Sequence, residues 1–278
     1  MLLRCGHHTL DLTTPRVMGI LNVTPDSFSD GGRFSEIARA VEHGLAMVAA
    51  GAAIIDVGGE STRPGAAVVS ETEEINRVVP VIAALTAAGV PISVDTSKAG
   101  VIVAALNAGA SMVNDVRALQ EPGALEAAVA GSAAVCLMHM QGAPRTMQHD
   151  PQYTDVVSEV RDFLQARVSA CEGAGIARER IVIDPGIGFG KRLEHNLALL
   201  AALPTLRELD LPVLIGVSRK SMLGTLLRRG VEQRLAGGIA VATASILAGA
   251  HILRVHDVAE TVDAIRVAAA LKDAGFRI

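Results

Sequence analysis

Residues 17–32 read Val-Met-Gly-Ile-Leu-Asn-Val-Thr-Pro-Asp-Ser-Phe-Ser-Asp-Gly-Gly. The stretch opens as an apolar run, Val17 to Val23, of the length and type expected for a buried strand. Pro25, Ser27, Ser29, Gly31 and Gly32 then disfavour regular structure, and a helical pattern begins near Ser35. The order is strand, long polar loop, helix. Phe28 lies inside the loop, one of five Phe in a chain without Trp. Flanked by Asp26 and Asp30, it is poorly placed for a core and predicts a lid over a site. Working outward, the same order recurs to the end of the chain.

The apolar runs ending near 22, 56, 95, 114, 138, 184, 216 and 254 predict eight strands, each followed by a helical pattern. Their mean step of about 33 residues is close to one βα unit of a barrel. Strands that are almost wholly apolar fit a parallel sheet covered on both sides. The predicted strands are 17–23, 54–57, 92–95, 111–114, 133–139, 180–184, 212–217 and 250–255. The main helices fall near 35–50, 71–88, 98–107, 123–130, 153–173, 194–203, 234–249 and 258–274, with a short one from Ser221. Ser70 and Glu73 form the capping pattern that opens the second. Alternation around Gly6 predicts a small hairpin within residues 1–14, leaving 15–275 for the barrel. No Pro- or Ser-rich linker divides the chain. The expected fold is therefore α/β: a single-domain (β/α)8 TIM barrel with a short N-terminal β-hairpin.

The 278 residues suffice for one such barrel, and half of them are apolar, so a large core can be buried. The net charge is 25 − 29 = −4, without basic or acidic blocks, which argues against nucleic acid as a partner. Met1 to His8 lacks an apolar signal region. The longest weakly polar run, Ala240 to Leu253, is shorter than a membrane span and contains Thr243, Ser245 and His251. No membrane partner is expected, and a cytoplasmic enzyme is the default. Cys5, Cys136 and Cys171 have no metal-type spacing, and Cys136 reads as a reduced core residue.

Active sites of such barrels lie at the C-terminal ends of the strands. The residues there are Asn22, Asp56, Asp95, Asn114, Met138, Asp184, Gly216 with Lys220, and Arg254 with His256. One Asp after a strand is usually a helix cap or turn former. Several on a shared rim, with two Asn, a Lys and an Arg, are not explained by caps. Asp95, Asn114 and Asp184 suit a flat heterocycle with an N–H edge beside a carbonyl, and Met138 and Phe189 supply apolar faces. Taken alone, Met138 is equally well explained as core. Asn22, Arg63, Arg254 and His256 come from units that adjoin when the ring closes. Arg forks match phosphate oxygens, and the hard oxygen of Asn22 suits Mg²⁺. Gly186-Ile-Gly-Phe-Gly190 does not have dinucleotide spacing; its glycines are expected to let backbone approach a planar ligand. Gly216-Val-Ser-Arg-Lys-Ser221 is not a P-loop, but Ser221 can begin a helix. No Ser or Cys stands in an elbow next to a motif His.

These segments jointly resemble the dihydropteroate synthases, the folate-pathway family targeted by sulfonamides. The match covers Met18–Gly32, Ile55–Gly65, Ser93–Thr96, Val113–Asp115, Leu137–Met140, Asp184–Gly190, Gly216–Ser221 and Arg254–Asp257. The resemblance implies a homodimeric barrel and a Mg²⁺-assisted transfer. In it, 4-aminobenzoate displaces diphosphate from (7,8-dihydropterin-6-yl)methyl diphosphate, giving 7,8-dihydropteroate. By motif position it implies that Asp95, Asn114, Asp184 and Lys220 hold the pterin, lined by Met138 and Phe189. Thr62, Arg63, Arg254, His256 and Asn22 match the diphosphate site, with Asn22 the Mg²⁺ contact. Phe28, Pro64, Lys220 and Ser221 match the aminobenzoate pocket, and Asp30 the loop acid near the reacting carbon. A pterin-binding methyltransferase barrel using methyltetrahydrofolate shares the Asp/Asn rim, but needs neither Arg63 and Arg254 nor a diphosphate site. A non-enzymatic pterin-binding barrel is a third alternative; loss of Asn22 or Lys220 would have suggested it, and both are present.

Overall fold

The computed structural model describes residues 1–23, 32–61, 67–143 and 146–276, and for 32–35 the backbone alone. An antiparallel hairpin comes first, β1 (Leu2–Cys5) with β2 (His8–Asp11). Eight parallel strands follow: β3 (Arg16–Asn22), β4 (Ile54–Gly58), β5 (Ile92–Asp95), β6 (Met112–Asp115), β7 (Ala134–Met138), β8 (Ile181–Asp184), β9 (Leu214–Ile215) and β10 (Ile252–Val255). Their lateral order is β8-β7-β6-β5-β4-β3-β10-β9, and a parallel bridge between Ile183 and Val213 joins the two outer strands into a closed barrel.

Side chains alternate along each strand, and the two faces go to different cores. Met18, Ile54, Met112, Ala134, Cys136, Val182, Leu214 and Ile252 point inward and form one buried cluster with Leu3, Cys5 and Leu12. The hairpin thus plugs the N-terminal end of the barrel. Leu21, Val57, Val94, Val113, Leu137, Ile183, Ile215 and Leu253 point outward into a larger core shared with the helices. Because the period is two, Asn22, Asp95, Asn114, Asp184 and Arg254 face inward at the other end, above the plug. Register aligns several of them: Asn22 lies opposite Gly58, Gly58 opposite Asp95, and Asp95 opposite Asn114.

The helices are α1 (Gly32–Ala49), α2 (Glu71–Leu85), α3 (Ala99–Asn107), α4 (Ala124–Val129), α5 (Val156–Gly173), α6 (Leu193–Ala201), α7 (Leu203–Arg207), α8 (Ser221–Leu227), α9 (Leu235–Leu247) and α10 (Val258–Asp273). Helix α2 shows why they form. The Ser70 hydroxyl accepts the Glu73 N–H at 3.2 Å, and Val78, Val81, Ile82 and Leu85 bury one stripe against the sheet. Each fully buried Leu or Ile of this kind contributes roughly 1.5–3 kcal/mol.

Three departures from the expected elements have local causes. The predicted helix over 194–203 ends at Ala201, and α7 restarts with Pro204 in its first turn, where a missing N–H does no harm. Helix α5 begins at Val156, not near 153, because the Asp155 carboxylate caps the N–H groups of Val157 and Ser158. Strand β9 shrinks to Leu214–Ile215, since Pro212 cannot donate to a ladder and Val213 joins β8 by one bridge. All three cysteines are free and buried. Among the described residues, no helix is long and apolar enough to cross a membrane.

Candidate active site

The rim of the barrel is organised by Arg254. Its Nε donates to Asp56 Oδ2 at 2.6 Å, and its terminal NH2 donates to Asp95 Oδ2 at 2.5 Å. Asn114 Nδ2 donates to the same Asp56 oxygen at 2.9 Å. Asp56 is fully buried, and its other oxygen, Oδ1, has no partner among the described residues. An orphan buried acceptor costs about 1–3 kcal/mol unless a ligand donor or water reaches it. The expected division between an acidic ring site and a basic anion site is therefore bridged: one guanidinium touches both carboxylates and faces the mouth.

Burial raises the Asp95 carboxyl from 3.8 to about 7; Arg254 opposes the rise and Asp56 adds to it. Burial opposes the charge on Arg254, but Asp56 and Asp95 outweigh it, and the guanidinium holds its proton more firmly than usual. Asp184 is also raised by burial, against the pull of Lys220, and its Oδ1 accepts the Gly186 N–H at 2.7 Å. Lys220 is lowered by burial to about 8, although Asp184 pulls it up. Its Nζ donates to the Ile187 carbonyl and stands 4.6 Å from the centroid of the Phe189 ring, a cation–π contact. Met138 ends β7 and is buried. Gly216 lies just after β9, and a methyl carbon added there would sit 3.8 Å from Lys220 Nζ.

At the other side of the mouth, Ser218 Oγ and His256 Nδ1 are 3.1 Å apart, and the His256 N–H donates to the same hydroxyl at 3.2 Å. Ser221 is exposed and opens α8. Asn22 ends β3 beside Asp95: a methyl carbon built on Gly58 would lie 3.8 Å from both Asn22 Oδ1 and Asp95 Oδ2. The fold thus brings together Asn22, Asp95, Asn114, Met138, Asp184, Phe189, Gly216, Lys220, Arg254 and His256, with Ser221 at the edge. Phe28, Asp30, Thr62, Arg63 and Pro64 lie outside the described residues.

The Gly-rich loop behaves differently from expectation. Gly186 and Gly190 have φ of +67° and +59°, and a methyl carbon on either would overlap a neighbouring backbone oxygen, that of His139 or Gln141. What approaches these glycines is the adjoining loop after β7, so they serve protein packing first.

Two groups have contacts to which the sequence alone assigns no role. Asp56 was on the rim but had no role; its signal was a lone carboxylate inside an apolar strand. Lys98 had no signal, because a lysine beside a helix start reads as solvated. Its Nζ donates to Glu60 at 2.8 Å, to Glu74 at 2.5 Å and to the Val69 carbonyl at 2.8 Å. The Val69 N–H returns to Glu60 at 2.9 Å, so the clasp ties residues 60 and 69 together.

A parallel barrel with fixed amide and carboxylate groups at its strand ends, walled by Met and Phe, is the class that holds a flat nitrogen heterocycle. The chain matches the family described as pterin binding enzyme over residues 18–256. A dihydropteroate synthase of Escherichia coli is 56% identical over 260 residues, 93% of this chain and 92% of the relative. The crystal structure of Yersinia pestis dihydropteroate synthase with a sulfonamide drug complex superposes with a TM-score of 0.93 at 53% identity, covering 98% of this chain and 100% of that one. The Burkholderia cenocepacia enzyme complexed with 7,8-dihydropteroate gives 0.90 at 46% identity, covering 99% and 97%. The chain belongs to the pterin-binding enzymes and, within them, to the dihydropteroate synthases, which are transferases. The alternative methyltransferase activity is not favoured by these relatives.

Proposed function

We propose that the rim divides the labour of joining (7,8-dihydropterin-6-yl)methyl diphosphate to 4-aminobenzoate as follows. Asp95, Asn114 and Asp184 hold the N–H and carbonyl edges of the dihydropterin, while Met138 and Phe189 cover its faces. Asp56 Oδ1, which has no donor among the described residues, is fully buried behind Asn114 and Arg254, where a small movement of the rim would let a ring N–H or a water reach it. Lys220 stays largely an ammonium at neutral pH, placed between Asp184 and the aminobenzoate side with Ser221. Arg254 and His256, with Thr62 and Arg63, take the diphosphate. Phe28 and Pro64 flank the aminobenzoate, and Asp30 lies near the reacting carbon.

Asn22 offers one hard oxygen beside Asp95, and among the described residues no cluster of three or more His, Cys, Asp or Glu could hold a metal. That donor set fits Mg²⁺ carried mainly by substrate phosphates and water, with Asn22 as the protein contact. When bound, Mg²⁺ would neutralise charge on the leaving diphosphate.

The single observation that carries the mechanism is the Arg254 bridge. In this reading the one cation serves the charge that develops on the leaving group, and the two carboxylates that it pairs with serve the ring that becomes positive. The C–O bond breaks first, diphosphate keeps the electron pair, and the cation spreads over the dihydropterin. The aniline nitrogen then adds and loses its proton to solvent, since it becomes acidic only after C–N formation. A homodimer through the late helices is supported by the exposed Leu226, Leu227, Val231 and Leu235 around α8 and the start of α9. A cytoplasmic location is the reading that the three free cysteines and the metabolic role support.

The test is diphosphate release from the pterin substrate with 4-aminobenzoate absent. Release under those conditions supports early C–O cleavage. Strict dependence on 4-aminobenzoate, with isotope effects of a single displacement, rejects it.

A further inference from the structure

Behind the rim sits a lysine that the chemistry above does not use. Lys191 is 3% exposed. Its Nζ lies 2.9 Å from His139 Nδ1, 3.0 Å from the Gly186 carbonyl, 3.0 Å from the Phe189 carbonyl and 3.3 Å from the His139 carbonyl. These acceptors belong to two different turns, the one after β7 and the one after β8. The same turns touch a second time where Gly186, with no side chain, lies against the His139 carbonyl. Met138 stands next to His139. Phe189 contributes its own carbonyl, and Asp184 is tied in through the Gly186 N–H at 2.7 Å.

A Met or Leu of similar volume would fill this space without the desolvation of an ammonium, which amounts to several kcal/mol. The polar choice therefore needs another explanation, and the contact pattern supplies one. We propose that Lys191 is a positioning residue that staples the β7 and β8 turns into one platform, fixing Met138, Phe189 and Asp184 against the two faces and edge of the pterin. The inference rests on the assignment of Met138 and Phe189 to the pterin site. Asp184 and Lys220 are the charged groups that bear on it, and burial lowers its amine to about 7. His139 is held neutral, lowered to about 3 by burial and by Lys191. Either partner can thus supply the shared proton: the ammonium donates to Nδ1, or a neutral amine accepts an Nδ1–H, and in both forms two N–H remain for the carbonyls, the Gly186 and Phe189 oxygens being the nearer at 3.0 Å.

The test is a double-mutant cycle read as the Kd of 6-hydroxymethylpterin, a ring probe without diphosphate, by calorimetry. Lys191→Met and Phe189→Ala are each expected to weaken binding about tenfold or more, and the double variant to be little worse than Phe189→Ala alone. The KM for 4-aminobenzoate in Lys191→Met should stay near wild type, which a general distortion of the folded site would not allow. Should Lys191→Met fail to fold, His139→Phe, which keeps a ring against Phe163 but removes the Nδ1 contact, is judged in the same cycle. Additive effects, or equal losses for both substrates, overturn the staple. An unchanged Kd in Phe189→Ala overturns the platform itself.

Discussion

Asp95 carries opposing demands. Its folded pKa of about 7 lies above the usual 3.8, so the folded state holds this proton more tightly than the unfolded chain does. The sign follows: the stability it contributes is full below about pH 4 and is lost as pH rises toward 7. Asp95→Asn, a permanent neutral form, should therefore gain stability relative to wild type across that window in denaturant titrations, while losing turnover. A stability difference that does not change with pH contradicts the assignment. The same rim predicts that Asp184→Asn and Lys220→Ala lose at least tenfold in kcat/KM, the lower end for positioning and electrostatic groups. Near-normal turnover in either would move the site elsewhere. Asp95 and Asp184 are legible because each is a polar residue closing an apolar run, and Lys220 because it follows one within a short polar loop. The bridge through Arg254 was not, because it joins residues 56, 95 and 254 across the ring and depends on closure.

Single elements are set by caps, glycines and clasps. Among these, Lys98 ties Glu60 to Val69 and Glu74. Glu74 is 1% exposed and its Oε1 has no partner among the described residues, so removing the ammonium leaves a buried charge uncompensated. Lys98→Met should lower unfolding free energy by roughly 3 kcal/mol. Adding Glu74→Gln should recover part of it, and a denaturation series on Lys98→Met, Glu74→Gln and the double variant checks both. An additive second loss would show that the pair is not the source. The helix cap at Ser70 and the positions of the strands are readable from local chemistry. The break between α6 and α7 and the two-residue β9 were not, because Pro204 and Pro212 sit inside otherwise continuous apolar patterns. The Gly186–Gly190 loop points toward a ligand in the sequence alone, because only the folded chain brings the β7 turn into the space first.

At the scale of the whole molecule, stability and chemistry occupy opposite ends of one barrel. The hairpin plugs the N-terminal end through Leu3, Cys5 and Leu12, and the rim lies at the C-terminal end. Leu3→Ala should lower stability by about 2–5 kcal/mol through the cavity it leaves, with kcat/KM of the folded enzyme unchanged. A fall in kcat/KM at full folding would mean the two ends are coupled. Eightfold repetition made the barrel legible, since each unit had its own apolar run and punctuation. How the rim residues pair within it emerged only from strand register. The most direct measurement of the central claim is a coupled assay of the purified chain with (7,8-dihydropterin-6-yl)methyl diphosphate, 4-aminobenzoate and Mg²⁺. Equal amounts of 7,8-dihydropteroate and diphosphate are predicted. Absence of dihydropteroate from folded protein holding both substrates would contradict it.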